Sequence, residues 1–184
     1  MVFIEIYFNI YQNDFDNDGI PYWTETEIFN TDPNVDDRGR DDDLDGIPIE
    51  WEYKWGHEFD YEYDELTDQY IIVHRWFWDP FEWNDHSVID EDNDALSNLE
   101  EYLTSQWGSD PFRKDLFIEI DQMEKGPNGE GGFFPELSKE LLRTSYARHN
   151  IVLHLDDGNL GGGQKNIPFD DNTTDEELRS IYYN

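Results

Sequence analysis

The alternation of apolar and polar side chains predicts regular structure most clearly in the last third of the chain. Residues 115–121 (DLFIEID) alternate with the period of a strand, and residues 151–155 (IVLHL) form a second short strand pattern. Between them, residues 135–149 place three leucines and a tyrosine on one face of a predicted helix, with Pro135 suited to its first turn. This order of elements predicts a small βαβ-type α/β segment with parallel strands over residues 114–184.

Three shorter patterns lie elsewhere in the chain. Residues 1–11 (MVFIEIYFNIY) predict an N-terminal strand, and residues 175–183 predict a terminal helix. The first eleven residues lack a basic region and a cleavage site, so they are not typical of a signal peptide. We therefore expect either a mature fragment of a longer protein or a chain that stays inside the cell.

A region crowded with aromatic rings occupies residues 53–83, and residues 69–77 within it have strand character. We interpret this region as an insertion whose rings are buried by packing. The alternative is an aromatic surface that binds a ligand.

Charge narrows the range of partners. The chain has 45 acidic and 12 basic residues and a formal net charge of −33, which would repel nucleic acid and anionic membrane surfaces. No run of apolar residues is long enough to insert into a membrane. The absence of cysteine excludes disulfides and thiolate metal sites. Aromatic residues make up 16% of the chain, which favours a folded acidic protein whose charge is neutralised by cations.

Three twelve-residue loops between residues 12 and 113 match the template of an EF-hand-like calcium loop. The template has acidic residues at positions 1, 3 and 5, glycine at 6, a backbone carbonyl at 7 and glutamate at 12. Alternate carboxylates in a tight turn converge on one centre, and Ca²⁺ binds six to eight oxygens. The predicted ligands, for about three Ca²⁺ ions, are Asp14, Asp16, Asp18, Ile20 and Glu25 in loop one, Asp41, Asp43, Asp45, Ile47 and Glu52 in loop two, and Asp90, Asp92, Asp94, Leu96 and Glu101 in loop three.

The residues around the ligands predict how each loop continues. Pro21 and Pro48, at position 8, suit the first turn of a short helix, and Ser97 with Glu100 predicts a capping box at the same place in loop three. Ala95 replaces the glycine of position 6, so loop three is expected to be the weakest or most distorted. The predicted fold class is α+β, with calcium loops and short helices followed by the α/β segment.

The motif D-x-D-x-D-G-I-P-x-x-x-E, followed by Asn-Thr-Asp-Pro at residues 30–33, resembles thrombospondin type 3 repeats and their bacterial and archaeal relatives. Loop three is similar to the related form of microbial surface proteins and, more distantly, to dockerin loops. The resemblance covers about residues 12–112 apart from the aromatic insertion. It implies calcium-filled loops in which carboxylates of neighbouring segments, here Asp32, Asp37 and Asp110, can complete a site.

Residues 114–158 are similar, more weakly, to the segment that precedes the catalytic domain of secreted zinc metallopeptidases. The catalytic His-Glu-x-x-His motif is absent, and the five histidines have no ligand-like spacing. The sequence therefore predicts a non-catalytic, calcium-binding extracellular or cell-surface module, with another protein or a cell-surface component as a further partner. Three bound ions would reduce the charge from −33 to about −27. The alternative is a non-catalytic N-terminal fragment of a secreted zinc metallopeptidase, and an intracellular calcium sensor is disfavoured.

Overall fold

The protein has a mixed α+β fold, as predicted. The computed structural model describes residues 13–130, 133–161, 166–170 and 174. The predicted N-terminal strand and terminal helix both lie outside these residues. The chain forms two compact units: Met1–Asp90 with Ser97–Leu103, and Glu91–Leu96 with Thr104–Asn184.

A short helix begins at position 9 of each acidic loop. Helix α1 (Tyr22–Thr24) continues as a π-helical turn at Glu25–Phe29, α2 spans Ile49–Trp55, and α3 (Asn98–Thr104) leads into a 3₁₀ turn at Ser105–Trp107. Pro21 and Pro48 have extended conformations and stand at the N-cap positions of α1 and α2, one residue before the first turn in which they were predicted. The π-helical turn ends at Asn30, whose left-handed conformation (φ 55°) stops the helix.

A β-hairpin lies within the predicted aromatic insertion. Strand β1 (His57–Asp64) pairs antiparallel with β2 (Gln69–Trp76), from His57 opposite Trp76 to Asp64 opposite Gln69. Strand β2 confirms the strand character of residues 69–77, whereas β1 was not predicted. At the base of the hairpin, the Phe77 N–H donates to the carbonyl of Gly56 at 2.7 Å.

The hairpin differs between its base and its tip. Near the base, the His57 ring lies 4.6 Å from the His74 ring and 5.3 Å from the Trp76 ring. Near the tip, Tyr61 is 66% and Tyr70 73% exposed. Ring packing thus holds the base, and the tip extends into solvent.

Two apolar clusters form the core of the first unit. Ile20, Phe29 and Ile49 make up one cluster. Ile47, Trp51 and Trp78 make up the other, and the two tryptophan rings stack at 5.6 Å. The residues at position 7 of loops one and two, Ile20 and Ile47, belong to these clusters. Their side chains therefore anchor the loops to the core.

The second unit contains the predicted βαβ arrangement. Strand β3 (Lys114–Glu119) pairs in parallel with β5 (Ile151–Asp156), and helix α4 (Glu136–Ala147) connects them. Between β3 and α4, the short strand β4 (Gln122–Met123) pairs in parallel with β6 (Asn166–Ile167). The middle of β5 is buried, whereas Leu137 and Leu141 on α4 are 72% and 63% exposed. In the part of the chain that the structure describes, none of the helices has the length and apolar character needed to cross a membrane.

Candidate metal centres

The three acidic loops share one backbone conformation. The residues at positions 4 and 6 all have positive φ angles: 63° and 98° at Asn17 and Gly19, 65° and 100° at Leu44 and Gly46, and 61° and 79° at Asn93 and Ala95. Asparagine and glycine adopt this region readily, whereas leucine and alanine do so at a cost. Ala95 therefore has the positive φ that glycine has at position 6 of the other two loops.

Each loop is also closed by the same hydrogen bonds. The N–H of position 9 donates to the carbonyl of the residue before position 1, with distances of 2.8 Å from Tyr22 to Asn13, 2.9 Å from Ile49 to Arg40 and 2.8 Å from Asn98 to Ile89. The N–H of position 7 donates to the Oδ1 of the aspartate at position 5, at 2.8, 3.0 and 2.7 Å in loops one, two and three. The three loops thus share the same two backbone hydrogen bonds.

Loop one brings its acidic side chains together. Oxygen atoms of Asp14, Asp16 and Asp18 lie within 4.8 Å of one another. Both side-chain oxygens of Asp16 are buried and have no hydrogen-bond donor among the described residues. Glu25, at position 12, is fully buried. Thr31 donates to its Oε1 at 3.3 Å, but Oε2 has no donor in the described part of the chain.

Burial and mutual repulsion change the titration of loop one. The pKa of Glu25 is raised from 4.5 to about 7, first because the side chain is buried and then because Asp16 and Asp18 carry like charges. The pKa of Asp16 is raised as well, by burial and by the neighbouring charge of Asp18. Carboxylates held this close repel one another, and a positive charge between them would relieve that repulsion.

Loop two repeats this arrangement. Oxygen atoms of Asp41, Asp43 and Asp45 lie within 4.8 Å of one another, and Glu52 is fully buried. Burial, reinforced by neighbouring carboxylates, raises the pKa of Glu52 to about 7 and that of Asp43 to about 6. Within the described residues, neither Oε2 of Glu52 nor Oδ2 of Asp43 receives a hydrogen bond.

The predicted ligands of loop three are divided between the two units. Asp90 and Glu101 belong to the first unit, whereas Asp92, Asp94 and Leu96 belong to the second. The Asp94 N–H donates to Oδ1 of Asp92 at 3.1 Å, as the N–H of Asp45 does to Asp43 in loop two at 3.2 Å. Within the first unit, Ser97 and Glu100 form the predicted capping box, in which the Ser97 N–H donates to Oε2 of Glu100 at 2.8 Å.

A second repeated element, which we call the docking segment, follows each loop and begins with an Asp-Pro pair. The three docking segments are residues 32–37, 79–84 and 110–115. The last residue of each donates its N–H to Oδ2 of the position-5 aspartate, at 3.1 Å from Asp37 to Asp18, 3.2 Å from Asn84 to Asp45 and 2.6 Å from Asp115 to Asp94. Each loop is therefore tied to a later stretch of chain.

The residues proposed to complete neighbouring sites have different positions in these segments. The carboxylate of Asp32 accepts the N–H of Asn34 at 3.2 Å, and that of Asp110 accepts the N–H of Phe112 at 3.1 Å. Both side chains thus hold the turn around the proline. Asp37, by contrast, places an oxygen within 4.8 Å of oxygens of Asp18 and Glu25.

His86 takes the corresponding place in loop two. Its Nε2 lies 3.1 Å from Oδ2 of Asp45 and 3.4 Å from Oε1 of Glu52, and all three side chains are fully buried. Behind the ring, the Asn98 amide nitrogen lies 3.0 Å from Nδ1. The sequence analysis assigned His86 no role because no spacing motif links it to the loop. The second Asp-Pro pair, at residues 79–80, was the only sequence signal for the docking segment that precedes His86.

Comparison of the chain with protein-family models, with curated proteins and with solved structures finds no match.

Proposed function

We propose that this chain is a non-catalytic, calcium-binding extracellular or cell-surface module in which Ca²⁺ ions stabilise acidic loops. One observation carries the proposal. Both carboxylate oxygens of Asp16 and one oxygen each of Glu25, Asp43 and Glu52 are buried in loops one and two, and no described residue donates a hydrogen bond to these atoms. A buried carboxylate without a partner is costly, and a cation at the loop centre removes that cost.

The donor set of loop one favours calcium among the common cations. It consists of oxygen atoms alone, from three aspartates, one glutamate and the carbonyl expected at Ile20. Ca²⁺ accepts six to eight such ligands with flexible geometry, whereas Mg²⁺ requires a stricter octahedron and keeps several waters. A glutamate at position 12 can supply two oxygens at once, which suits the larger ion.

A structural role for the ions follows from the charge. At a formal net charge of −33, the metal-free chain repels itself, and the carboxylates at each loop centre concentrate that repulsion. Ions bound there would couple binding to folding of the loops and of the docking segments that close over them. For an extracellular module of this kind, the expected Kd of each site is about 10⁻⁴ to 10⁻³ M.

Calorimetric titration of EGTA-treated protein with Ca²⁺, together with elemental analysis, tests this proposal. Each occupied site should stabilise the fold by about 2.7 kcal/mol when free calcium is a hundredfold above Kd. Glu25→Gln and Glu52→Gln should each remove about one equivalent of bound calcium. Glu27→Gln, which changes an exposed glutamate on the same helical segment as Glu25, should remove none.

Titration with Mg²⁺ under the same conditions provides a second control and should give weaker binding. An unchanged melting temperature in calcium, with no metal bound, would refute the proposal. Detection of the native protein in the culture medium or on intact cells tests its location.

A further inference from the structure

Loops one and two differ in one donor atom. Each of these loops has a second cluster of possible ligands, formed by its position-5 aspartate, its position-12 glutamate and a residue from later in the chain. In loop one this cluster consists of Asp18, Glu25 and Asp37, which offer oxygen alone. In loop two the corresponding cluster consists of Asp45, Glu52 and His86, so one of its donor atoms is a nitrogen. Imidazole nitrogen suits Zn²⁺ and other transition metals, whereas calcium prefers oxygen ligands.

The spacing of the three donors matches that of ligands around one small ion. Zinc binds imidazole nitrogen and carboxylate oxygen at about 2.0–2.2 Å, so two ligands at a tetrahedral angle lie about 3.3–3.6 Å apart and two at a right angle about 3 Å apart. The observed distances from Nε2 of His86 are 3.1 Å to Asp45 and 3.4 Å to Glu52. Both distances fall in the range expected for ligands of one ion, and oxygens of Asp45 and Glu52 lie within 4.8 Å of each other.

Two buried oxygen atoms, one within this cluster and one behind the His86 ring, lack a hydrogen-bond partner among the described residues. Oε2 of Glu52, on a side chain with 0% exposure, has no hydrogen-bond donor in the described residues. Oδ1 of Asn98, also on a fully buried side chain, has no described partner, although its amide faces Nδ1 of His86. A half-turn of that amide would let Oδ1 accept a hydrogen from Nδ1, which leaves the lone pair on Nε2 free for a metal.

We propose that the second loop takes a transition-metal ion of the zinc class, with Asp45, Glu52 and Nε2 of His86 as ligands and Asn98 orienting the imidazole. This inference rests on the proposed function in one respect, because it treats the second loop as a metal site. Asp45 and Glu52 belong to both ligand sets of this loop, so zinc displaces at most one equivalent of calcium. Loop one, which lacks a nitrogen donor, keeps its calcium.

The test uses the full wild-type chain, labelled with ¹⁵N and saturated with calcium. One equivalent of Zn²⁺ is added while the histidine ring nitrogens are followed by long-range ¹H–¹⁵N correlation. Nε2 of His86 should change to the frequency of a metal-bound nitrogen, and the ring of the exposed His149 should not change. This measurement needs no substitution, so it stays decisive even where a variant fails to fold.

Matched variants then give the affinity. His86→Gln should weaken zinc binding by at least about 100-fold, because loss of a group behind a metal ligand already costs about 10–100-fold. Asn98→Ala should weaken it by about 10–100-fold for that reason. His149→Gln should leave zinc binding unchanged.

The outcomes separate this inference from the proposed function. Unchanged His86 resonances, or equal zinc affinity in the His86→Gln and His149→Gln variants, would overturn the inference and leave calcium binding intact. Conversely, a His86-dependent zinc site in a protein that binds no calcium, with Glu25→Gln indistinguishable from wild type in calcium, would refute the proposed function alone.

Discussion

Replacement of Glu25 by glutamine should have opposite effects with and without calcium. In the metal-free protein, the charged Glu25 side chain is fully buried beside Asp16 and Asp18, and its pKa is raised from 4.5 to about 7. At pH 8 the carboxyl is mostly ionised in the fold, so the charge destabilises the native state. Glutamine keeps the shape of the side chain and removes that charge.

The size of the effect follows from the pKa. One pKa unit corresponds to about 1.36 kcal/mol, so the difference between 4.5 and about 7 corresponds to roughly 3 kcal/mol. Because Gly19 in the same loop is exposed, solvent screening should reduce this value to roughly 2 kcal/mol. The free energy of unfolding in EGTA should therefore rise by roughly 2 kcal/mol in the variant.

Calcium reverses the sign of this change in the free energy of unfolding. With free calcium a hundredfold above Kd, loop one contributes about 2.7 kcal/mol to the wild-type protein and little to the variant. The variant should then be less stable than wild type by about 0.7 kcal/mol. Urea unfolding at pH 8, followed by tryptophan fluorescence in EGTA and in calcium, measures both values. Glu27→Gln serves as the exposed control. A variant destabilised equally in EGTA and in calcium would refute the reasoning, because Glu25 would then act through packing and not through its charge.

Calcium affinity should fall by about tenfold per site between pH 8 and pH 6, because the raised pKa values of Glu25 and Glu52, both about 7, let protons compete with the ion. A calcium Kd that does not change with pH would contradict this competition. Over the same pH interval the metal-free fold should gain stability, since its carboxyls take up protons before those of the unfolded chain. Leu44→Asn should stabilise the protein by about 1 kcal/mol in urea unfolding, because Leu44 is 80% exposed at a φ of 65° that asparagine tolerates; a loss of stability would contradict the argument. Gly56→Ala should lower the melting temperature and cost about 1–3 kcal/mol, since a Cβ there would lie 2.6 Å from the carbonyl oxygens of Glu52 and Trp78, and an unchanged melting temperature would count against this packing.

The elements that the sequence predicted best depend on local signals. Strand β3, helix α4 and strand β5 each follow the period of their own side chains, and their order alone implies the parallel pairing. The turns of the acidic loops are equally local, because glycine or asparagine occupies four of the six loop positions with positive φ, and Leu44 and Ala95 occupy the other two. Strand β1 was missed although rings and acidic residues alternate along His57–Asp64; its charged residues hid a pattern that becomes clear only beside β2.

The docking segments depend on contacts between distant residues, so the sequence analysis did not find them. From Glu25 to Pro33 the chain advances 8 residues, but from Glu52 to Pro80 it advances 28. The difference of 20 equals the length of the hairpin His57–Trp76, which conceals the repeat. His86 was missed for the same reason, since it meets Glu52 across 34 residues.

The base of the hairpin has a consequence for how this repeat can change. The carbonyl of Gly56 accepts the N–H groups of Phe77 at 2.7 Å and of Trp78 at 3.1 Å, so the two ends of the insertion meet. The chain therefore leaves and re-enters the repeat at almost one point, and Asn84 still reaches Asp45 as Asp37 reaches Asp18. We therefore expect this point to accept a graft of foreign polypeptide with adjoining ends, with the hydrogen bond from Asn84 to Asp45 retained.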